Sequence, residues 1–145
     1  MQEYRNSAHD ADIIASSINT ALPLRKIRAQ IDRLDISADA KALFMDIAGL
    51  TVKLGQTVLN IGRKILSVAF DIIQKFPKTT FGVVIAFIVT ALVATVPVVG
   101  GVLVSFVGPL LVACGLTIGA LQDMKDASWT LPVTKLEQQL AMVAV

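Results

Sequence analysis

The sequence has very few residues of the types that hold metals or form disulfides. It contains one cysteine, Cys114, and one histidine, His9, among 145 residues. A single cysteine excludes a disulfide within the chain and any metal site built from several thiolates. A single histidine excludes histidine-based metal clusters and leaves little for acid–base catalysis. We therefore expect no metal and no cofactor.

Catalytic motifs are missing as well. There is no glycine-rich phosphate loop, no GxSxG and no carboxylate cluster accompanied by a histidine. We expect that the protein is not an enzyme. The 13 basic and 11 acidic side chains give a net charge of only +2, with no basic run. This balance argues against a nucleic-acid surface.

Charge is absent from a long central stretch. No Asp, Glu, Lys or Arg occurs in the 44 residues from 79 to 122. The whole chain is 54% apolar and 17% charged, whereas soluble domains average roughly 45–50% and about 25%. The apolar excess is concentrated in this stretch, so we expect a membrane protein with soluble flanks. One membrane-spanning helix needs only about 20 residues, which leaves room for two.

These uncharged residues predict a transmembrane or re-entrant helical hairpin. The expected helices are Phe81–Val96 and Val102–Leu121, joined by a turn at VPVVGG, where Pro97 breaks the first helix and the two glycines permit unusual dihedral angles. Pro109 is expected to kink the second helix, which membrane helices tolerate. Because the turn has no polar side chain, a full-spanning and a re-entrant hairpin are both compatible with the sequence.

A long amphipathic helix is predicted over residues 37–76. Ser37 is suited to cap its start and Pro77 ends it, with no proline between them. Apolar side chains cover an arc of about 200° and polar ones the opposite arc of about 120°. An arc this wide has to be covered by several helices or lie in the membrane interface. The residues predicted to face water or line a pore are Lys53, Gln56, Asn60, Arg63 and Lys64.

The predicted fold class is all-α, with short helices at both ends. The expected segments are a polar, helical N-terminal segment (1–36, interrupted at Pro23), the long helix (37–76), the hairpin (79–122) and a C-terminal tail (123–145). In the tail, Thr134 and Glu137 fit a capping box for a short helix. Its predicted apolar stripe is Leu136, Leu140 and Val143.

A stripe of small residues follows one face of the predicted second hairpin helix. Its members, which we predict to form a helix-packing or oligomer interface, are Gly101, Ser105, Gly108, Gly115 and Gly119. Small residues let membrane helices approach closely, and 115–119 is a GxxxG. The stripe either packs within the hairpin or contacts another subunit. Trp129, just beyond the hairpin, is a candidate anchor at the membrane interface.

Three functions are compatible with these patterns. The first is a small integral membrane protein that self-assembles into a homo-oligomeric structural or channel-like complex: a scaffold, a channel wall, or a component of a larger envelope, secretion or phage apparatus. The second is a pore-forming or membrane-perturbing effector, because the broad organisation is similar to that of colicin pore-forming domains, where amphipathic helices surround an apolar hairpin. The third is a soluble helical-bundle adaptor. The expected partners are membrane lipids and further copies of the chain, with no nucleic acid.

The expected location is the inner, cytoplasmic membrane. A helical hairpin keeps both its ends on one side, and basic residues precede it closely at Arg63, Lys64, Lys75 and Lys78. The positive-inside bias therefore predicts that both termini are cytoplasmic.

Overall fold

A computed structural model describes residues 13–54 and 56–143. The elements in chain order are α1 (13–19), α2 (Leu24–Asp32), α3 (Ala38–Ala48), β1 (Val52–Leu54), β2 (Thr57–Leu59), α4 (Ile61–Lys75), α5 (Phe81–Thr95), α6 (Pro97–Cys114), α7 (Ile118–Gln122), a 3₁₀ turn (Ser128–Thr130) and α8 (Leu131–Val143). The described chain is mostly helical, in agreement with the predicted class at that level. Residues 1–12 of the predicted N-terminal segment lie outside the described residues.

Several helix boundaries fall where proline and serine predicted them. Pro23 immediately precedes α2, so the N-terminal segment is two short helices. The Ser37 hydroxyl caps α3 by accepting a hydrogen bond from the Ala40 N–H at 3.1 Å. Pro77 follows α4 by two residues, because a proline would remove one of the backbone hydrogen bonds needed to continue it.

The predicted continuous helix over 37–76 is wrong. The chain leaves the helix after Ala48 and forms an antiparallel pair in which Val52 lies opposite Leu59 and Leu54 opposite Thr57. The sequence TVKLGQTVL carries the reason, since a Thr-Val pair stands on each side of a central Gly-Gln, and β-branched residues favour strands. Helical spacing of apolar residues continues through this stretch by coincidence, and the β-branched pattern overrides it.

Helix α5 forms the centre of the fold. It packs against α4, α6 and α8, and the buried side chains along it are Phe81, Val84, Ile85, Ala86, Phe87, Ile88, Val89 and Leu92. Phe81 stacks on Phe70 at 4.5 Å between ring centroids and meets Phe44 edge-on at 5.2 Å. The apolar sides of α3 and α4 are therefore turned toward α5.

Helix α6 begins earlier and ends earlier than predicted. The corner after α5 is Val96 alone, and Pro97 takes the first position of α6, where its missing N–H costs nothing. Gly100 and Gly101 were predicted in the turn but lie inside this helix. Gly115 adopts φ +64°, a left-handed conformation that glycine accepts without strain, and it ends the helix after Cys114.

The C-terminal helix starts ahead of the predicted capping box. Because α8 begins at Leu131, Thr134 lies within it and its hydroxyl donates to the Thr130 carbonyl at 3.4 Å, so it is not the cap. Leu136 and Leu140 are buried, as predicted. The side chain of Val143, the third residue of that stripe, lies outside the described residues.

Candidate functional site

One side of α6 is an exposed surface without a single charged or strongly polar group. We define the α6 outer face by the exposed residues that recur along this helix at helical spacing: Val98, Gly101, Val104, Ser105, Gly108 and Val112. Val104 is 56% exposed and Val112 84%. Only 22% of this 18-residue uncharged helix is buried inside the fold. A helix that served only as core would be covered on most sides.

The opposite side of α6 holds the helix to the fold. Its buried residues include Val99, Gly100 and Leu103. A Cβ added at Gly100 would lie 3.0 Å from both the Cα and the carbonyl oxygen of Val93, so the backbones of α5 and α6 are in close contact there. The two sides of α6 are thus clearly divided into a packed side and a free side.

The predicted small-residue stripe is only partly continuous. Gly101, Ser105 and Gly108 lie on the α6 outer face, and a Cβ added at either glycine would meet nothing within 4 Å. Packing of these residues within the hairpin, one of the two alternatives, therefore does not occur; Gly100 makes that contact instead. An interface with another copy stays a prediction for these three residues.

The predicted GxxxG at the end of the stripe does not form one helix face. Gly115 terminates α6 and Gly119 lies in α7, so a helix break separates the two residues. Both are exposed. Spacing alone did not show this, because Gly115 is read equally well as a packing residue or as a helix terminator.

The five residues predicted to face water are dispersed by the β-hairpin. Lys53 and Gln56 are exposed in and beside its strands, whereas Asn60, Arg63 and Lys64 are half-buried at the start of α4. They do not form one polar arc on a continuous helix, which was the premise for placing them around a pore.

Two of these residues have structural partners instead. The Arg63 Nη2 group donates to the carbonyl oxygens of Asn19 at 2.8 Å and Ala21 at 3.2 Å. The Asn60 backbone N–H donates to Asn19 Oδ1 at 2.9 Å, and Asn19 Nδ2 donates to the Val58 carbonyl at 3.0 Å. This network fixes the end of α1 to the β-hairpin and to α4.

Trp129 is not available as an interfacial anchor in this conformation. It is 9% exposed, and its ring meets Phe87 of α5 edge-on at 5.1 Å between centroids. The 3₁₀ turn ahead of α8 directs the ring inward. No local sequence pattern distinguished this packed ring from an exposed one.

A cleft that the sequence did not indicate lies between α5, α7 and α8. It has a volume of about 290 Å³ and apolar walls that include Phe87, Ala91 and Leu121. Its polar lining includes the side chains of Lys125 and Glu137. Burial raises the pKa of the Glu137 carboxyl, and the nearby Lys125 ammonium lowers it in part. Its lining residues come from segments far apart in sequence, so no local motif marks the cleft.

Among residues 13–54 and 56–143, no group of three His, Cys, Asp or Glu side chains is placed to hold a metal ion. By length and composition, α6 alone among these helices is long and apolar enough to cross a membrane, while α5 is apolar but shorter. Comparison with protein-family models, with curated proteins and with solved structures finds no match to this chain.

Proposed function

We propose that this chain is a small membrane protein that binds the bilayer through the α6 outer face and assembles there with further copies of itself. The observation that carries the proposal is the exposure of an uncharged apolar helix on the surface of an otherwise packed fold. The chain would form structural or channel-like complexes, and its partners would be lipids and identical subunits. The assembly would be a scaffold, a channel wall, or a component of a larger envelope, secretion or phage apparatus.

The α6 outer face is better suited to lipid than to water. Full burial of one valine side chain is worth about 1.5–3 kcal/mol, and several on one face act together. No Asp, Glu, Lys or Arg interrupts α6, so no charged side chain on this helix has to be desolvated when it meets hydrocarbon. Contiguous apolar surface of this kind typically marks a protein–protein or membrane contact.

The length of α6 also fits a bilayer. Its 18 residues extend about 27 Å at 1.5 Å per residue, close to the roughly 30 Å hydrocarbon core. The 15 residues of α5 extend about 22 Å, which is short for a span. The described conformation is compatible with α6 lying against the bilayer. Crossing it as a hairpin of α5 and α6 would require α6 to leave α3, and α5 to leave α4 and α8.

Assembly would use the small residues on the same face. The face carries three small residues spaced by four and three positions, Gly101, Ser105 and Gly108. In lipid, where apolar burial does not drive helices together, close backbone approach through such residues supplies the packing energy. The remaining apolar surface of α6 would stay in contact with lipid.

The proposed location is the inner membrane, with both termini in the cytoplasm. If α5 and α6 enter together, the segments before and after them stay on one side. Lys75 and Lys78 directly precede α5, and the positive-inside bias assigns that side to the cytoplasm.

A vesicle flotation experiment tests the membrane contact. Purified protein is mixed with phosphatidylcholine vesicles and centrifuged through a density gradient, for the wild type, Val104→Asp and Gln138→Asp. Val104 lies on the α6 outer face and Gln138 is exposed on α8, so both variants add one charge at an exposed helical position. We expect the wild type and Gln138→Asp to float and Val104→Asp to stay at the bottom. Flotation of all three would show that this face does not make the contact.

Light scattering in mild detergent tests the assembly. The variant Gly101→Leu with Gly108→Leu should shift an oligomer toward monomer, whereas Ala113→Leu, exposed on the same helix but outside the stripe and the α6 outer face, should leave it unchanged. An oligomer of the same mass for both variants would remove the small residues from the interface.

The second candidate is a pore-forming or membrane-perturbing effector. The observation that favours it is the shielding of α5, an uncharged helix enclosed by α3, α4, α6 and α8, as expected of a protein that is soluble before it inserts. Release of a dye trapped in vesicles on addition of the purified protein would favour this function. Flotation without release would favour the structural assembly. If the protein neither floats with vesicles nor releases the dye, the result would favour a soluble adaptor that covers α6 with a protein partner.

A further inference from the structure

The cleft between α5, α7 and α8 combines an apolar floor with two opposite charges. The floor includes Phe87, Ala91, Ile118 and Leu121. Ligand sites are typically apolar concavities with a few polar groups that fix orientation, at volumes of roughly 300–1,000 Å³. At about 290 Å³ this cleft has room for a head group and part of a chain rather than for a whole lipid.

The charges in the cleft come from separate elements. Glu137 lies on α8 and Lys125 lies in the segment after α7. The Lys125 ammonium is near enough to act on the titration of the Glu137 carboxylate. A purely anionic ligand would meet a partly buried carboxylate, and a purely cationic one would meet the ammonium. A ligand that carries both charges complements the pair.

The hydroxyl-bearing residues of α5 also line this cleft. Thr90 and Thr95 are the only hydroxyl-bearing residues of that helix, and both line the cleft. The Thr95 hydroxyl donates to the Ala91 carbonyl at 2.8 Å. The Thr95 oxygen can still accept a hydrogen bond, so the hydroxyls of this otherwise apolar helix add polar groups to the cleft wall.

We propose that this cleft binds the zwitterionic head group and the adjoining chain of a lipid, with the ammonium at Glu137 and the phosphate at Lys125. The inference rests on the proposed membrane function, because the bilayer supplies the lipid. The end of the cleft is formed by Ala94 and Thr95, which directly precede the corner into α6. The cleft therefore extends along α5 to the start of α6, the helix that carries the α6 outer face.

The protein contains a built-in reporter of cleft occupancy. Trp129 is the single tryptophan of the chain, and its ring packs on Phe87, a cleft wall, while its neighbour Thr130 also lines the cleft. Its fluorescence should change when the cleft fills. Binding of an amphiphile to α6 alone would leave the surroundings of this ring unaltered.

The test is a fluorescence titration of the full chain with octylphosphocholine below its critical micelle concentration. The comparison probes are octyl phosphate, octyltrimethylammonium, octyl glucoside and phosphocholine without a chain. The Lys125 ammonium can donate a charge-assisted hydrogen bond to the phosphate, and the Glu137 carboxylate can attract the quaternary ammonium as an ion pair. We therefore expect octylphosphocholine to bind at least about ten-fold more tightly than octyl glucoside, which has no charge. Equal affinity of those two probes would overturn the recognition of charge. Equal affinity of chainless phosphocholine would overturn the assignment to a lipid.

Matched variants assign the two charges. Glu137→Gln should weaken octylphosphocholine and octyltrimethylammonium but not octyl phosphate, and Lys125→Gln should weaken octylphosphocholine and octyl phosphate but not the cation. Asp126→Asn and Lys135→Gln remove exposed charges outside the cleft lining and should bind as the wild type does. Wild-type affinities for both cleft variants would overturn the proposal.

A filling variant provides a second, steric test. Ala91→Phe should abolish the fluorescence response, whereas Ala29→Phe, at an exposed position on α2, should retain it. The outcome is separable from that of the proposed function, because the probes are monomeric and no bilayer is present. A protein that floats with vesicles but binds no probe would contradict only the cleft inference. Probe binding without flotation would contradict the proposed function and the lipid source together.

Discussion

Helices α5 and α6 are consecutive, equally free of charge and strongly apolar, yet one is the centre of the fold and the other is its surface. Eight of the 15 residues of α5 are buried, against four of the 18 of α6. Neither helix has a polar face that would direct it. The difference shows that apolar content alone does not decide which helix a small fold encloses.

The side chains of the two helices explain the difference. In α5 the ring of Phe81 packs on Phe44 of α3 and Phe70 of α4, and the ring of Phe87 packs on Trp129 of the 3₁₀ turn. In α6 two prolines and three glycines reduce the bulk available for packing. One side of α6 fits closely on α5, and no element of the described chain covers the glycines of the other side. The fold therefore buries α5, which has the larger side chains, and leaves one side of α6 exposed.

The largest expected difference in the free energy of unfolding comes from introducing one charge into each helix. Ile88 of α5 is fully buried, so Ile88→Asp places an unpaired carboxylate in the core. Such a charge costs several kcal/mol, comparable with a total stability of about 5–15 kcal/mol, and we expect the variant to unfold. Val104→Asp on the α6 outer face should change the free energy of unfolding by no more than about 0.5 kcal/mol.

Circular dichroism during thermal denaturation measures both variants. Similar destabilisation by the two substitutions would mean that α6 is as enclosed as α5 in solution, as would occur if copies already cover it. Repeating Val104→Asp at several protein concentrations distinguishes that case, because burial between copies makes the midpoint concentration-dependent.

A pair of neighbouring glycines tests the division of α6 into two sides. Gly100→Ala places a Cβ 3.0 Å from the Val93 backbone, which cannot rotate away, whereas Gly101→Ala meets nothing within 4 Å. Overpacking costs about 1–3 kcal/mol, and alanine gains roughly 0.5–1 kcal/mol over glycine within a helix. We expect Gly100→Ala to destabilise the protein and Gly101→Ala to stabilise it slightly in denaturant titrations. The same sign for both would contradict the orientation of α6.

The sequence predicted where helices begin and end better than it predicted which residues they pack against. Proline and serine act locally, so Pro23, Ser37 and Pro77 gave correct breaks or caps, and α5 ends within one residue of the prediction. The β-hairpin was missed because its two Thr-Val pairs are a short signal, and a helical spacing of apolar residues happens to continue across it. Burial could not be predicted for α6, since two uncharged helices look alike until their neighbours are known.

In the candidate sites, too, local properties were predictable from the sequence and long-range contacts were not. The apolar helix of the α6 outer face was visible in the composition, because freedom from charge is a local property. The inward position of Trp129 and the bonds of Arg63 to Asn19 and Ala21 depend on segments more than 40 residues apart. The cleft joins α5 to Lys125 and Glu137, and no spacing rule relates such positions.

Amide hydrogen exchange sharpens the comparison without altering the protein. The outer side of α6 has no covering neighbour within the described chain, so its backbone can open without unfolding the core. We expect amides on α6 to exchange at least about ten-fold faster than those of α5, which corresponds to about 1.4 kcal/mol. Phosphatidylcholine vesicles should slow exchange in α6 and leave α5 unchanged. Slowing confined to α8 would place the contact elsewhere.

The smallest expected effect concerns Glu137, which lines the cleft beside α5. Burial raises the pKa of its carboxyl above the ordinary value of 4.5, with Lys125 opposing the rise. The folded state therefore holds this proton more firmly than the unfolded chain does, and stability is lost as the pH rises from about that value through the folded pKa. Glu137→Gln mimics the protonated form, so the wild type should lose thermal stability relative to this variant over that interval. A relative gain with rising pH would mean that attraction to Lys125 outweighs burial. The α5 side of the fold would then present a solvated ion pair rather than a partly desolvated acid.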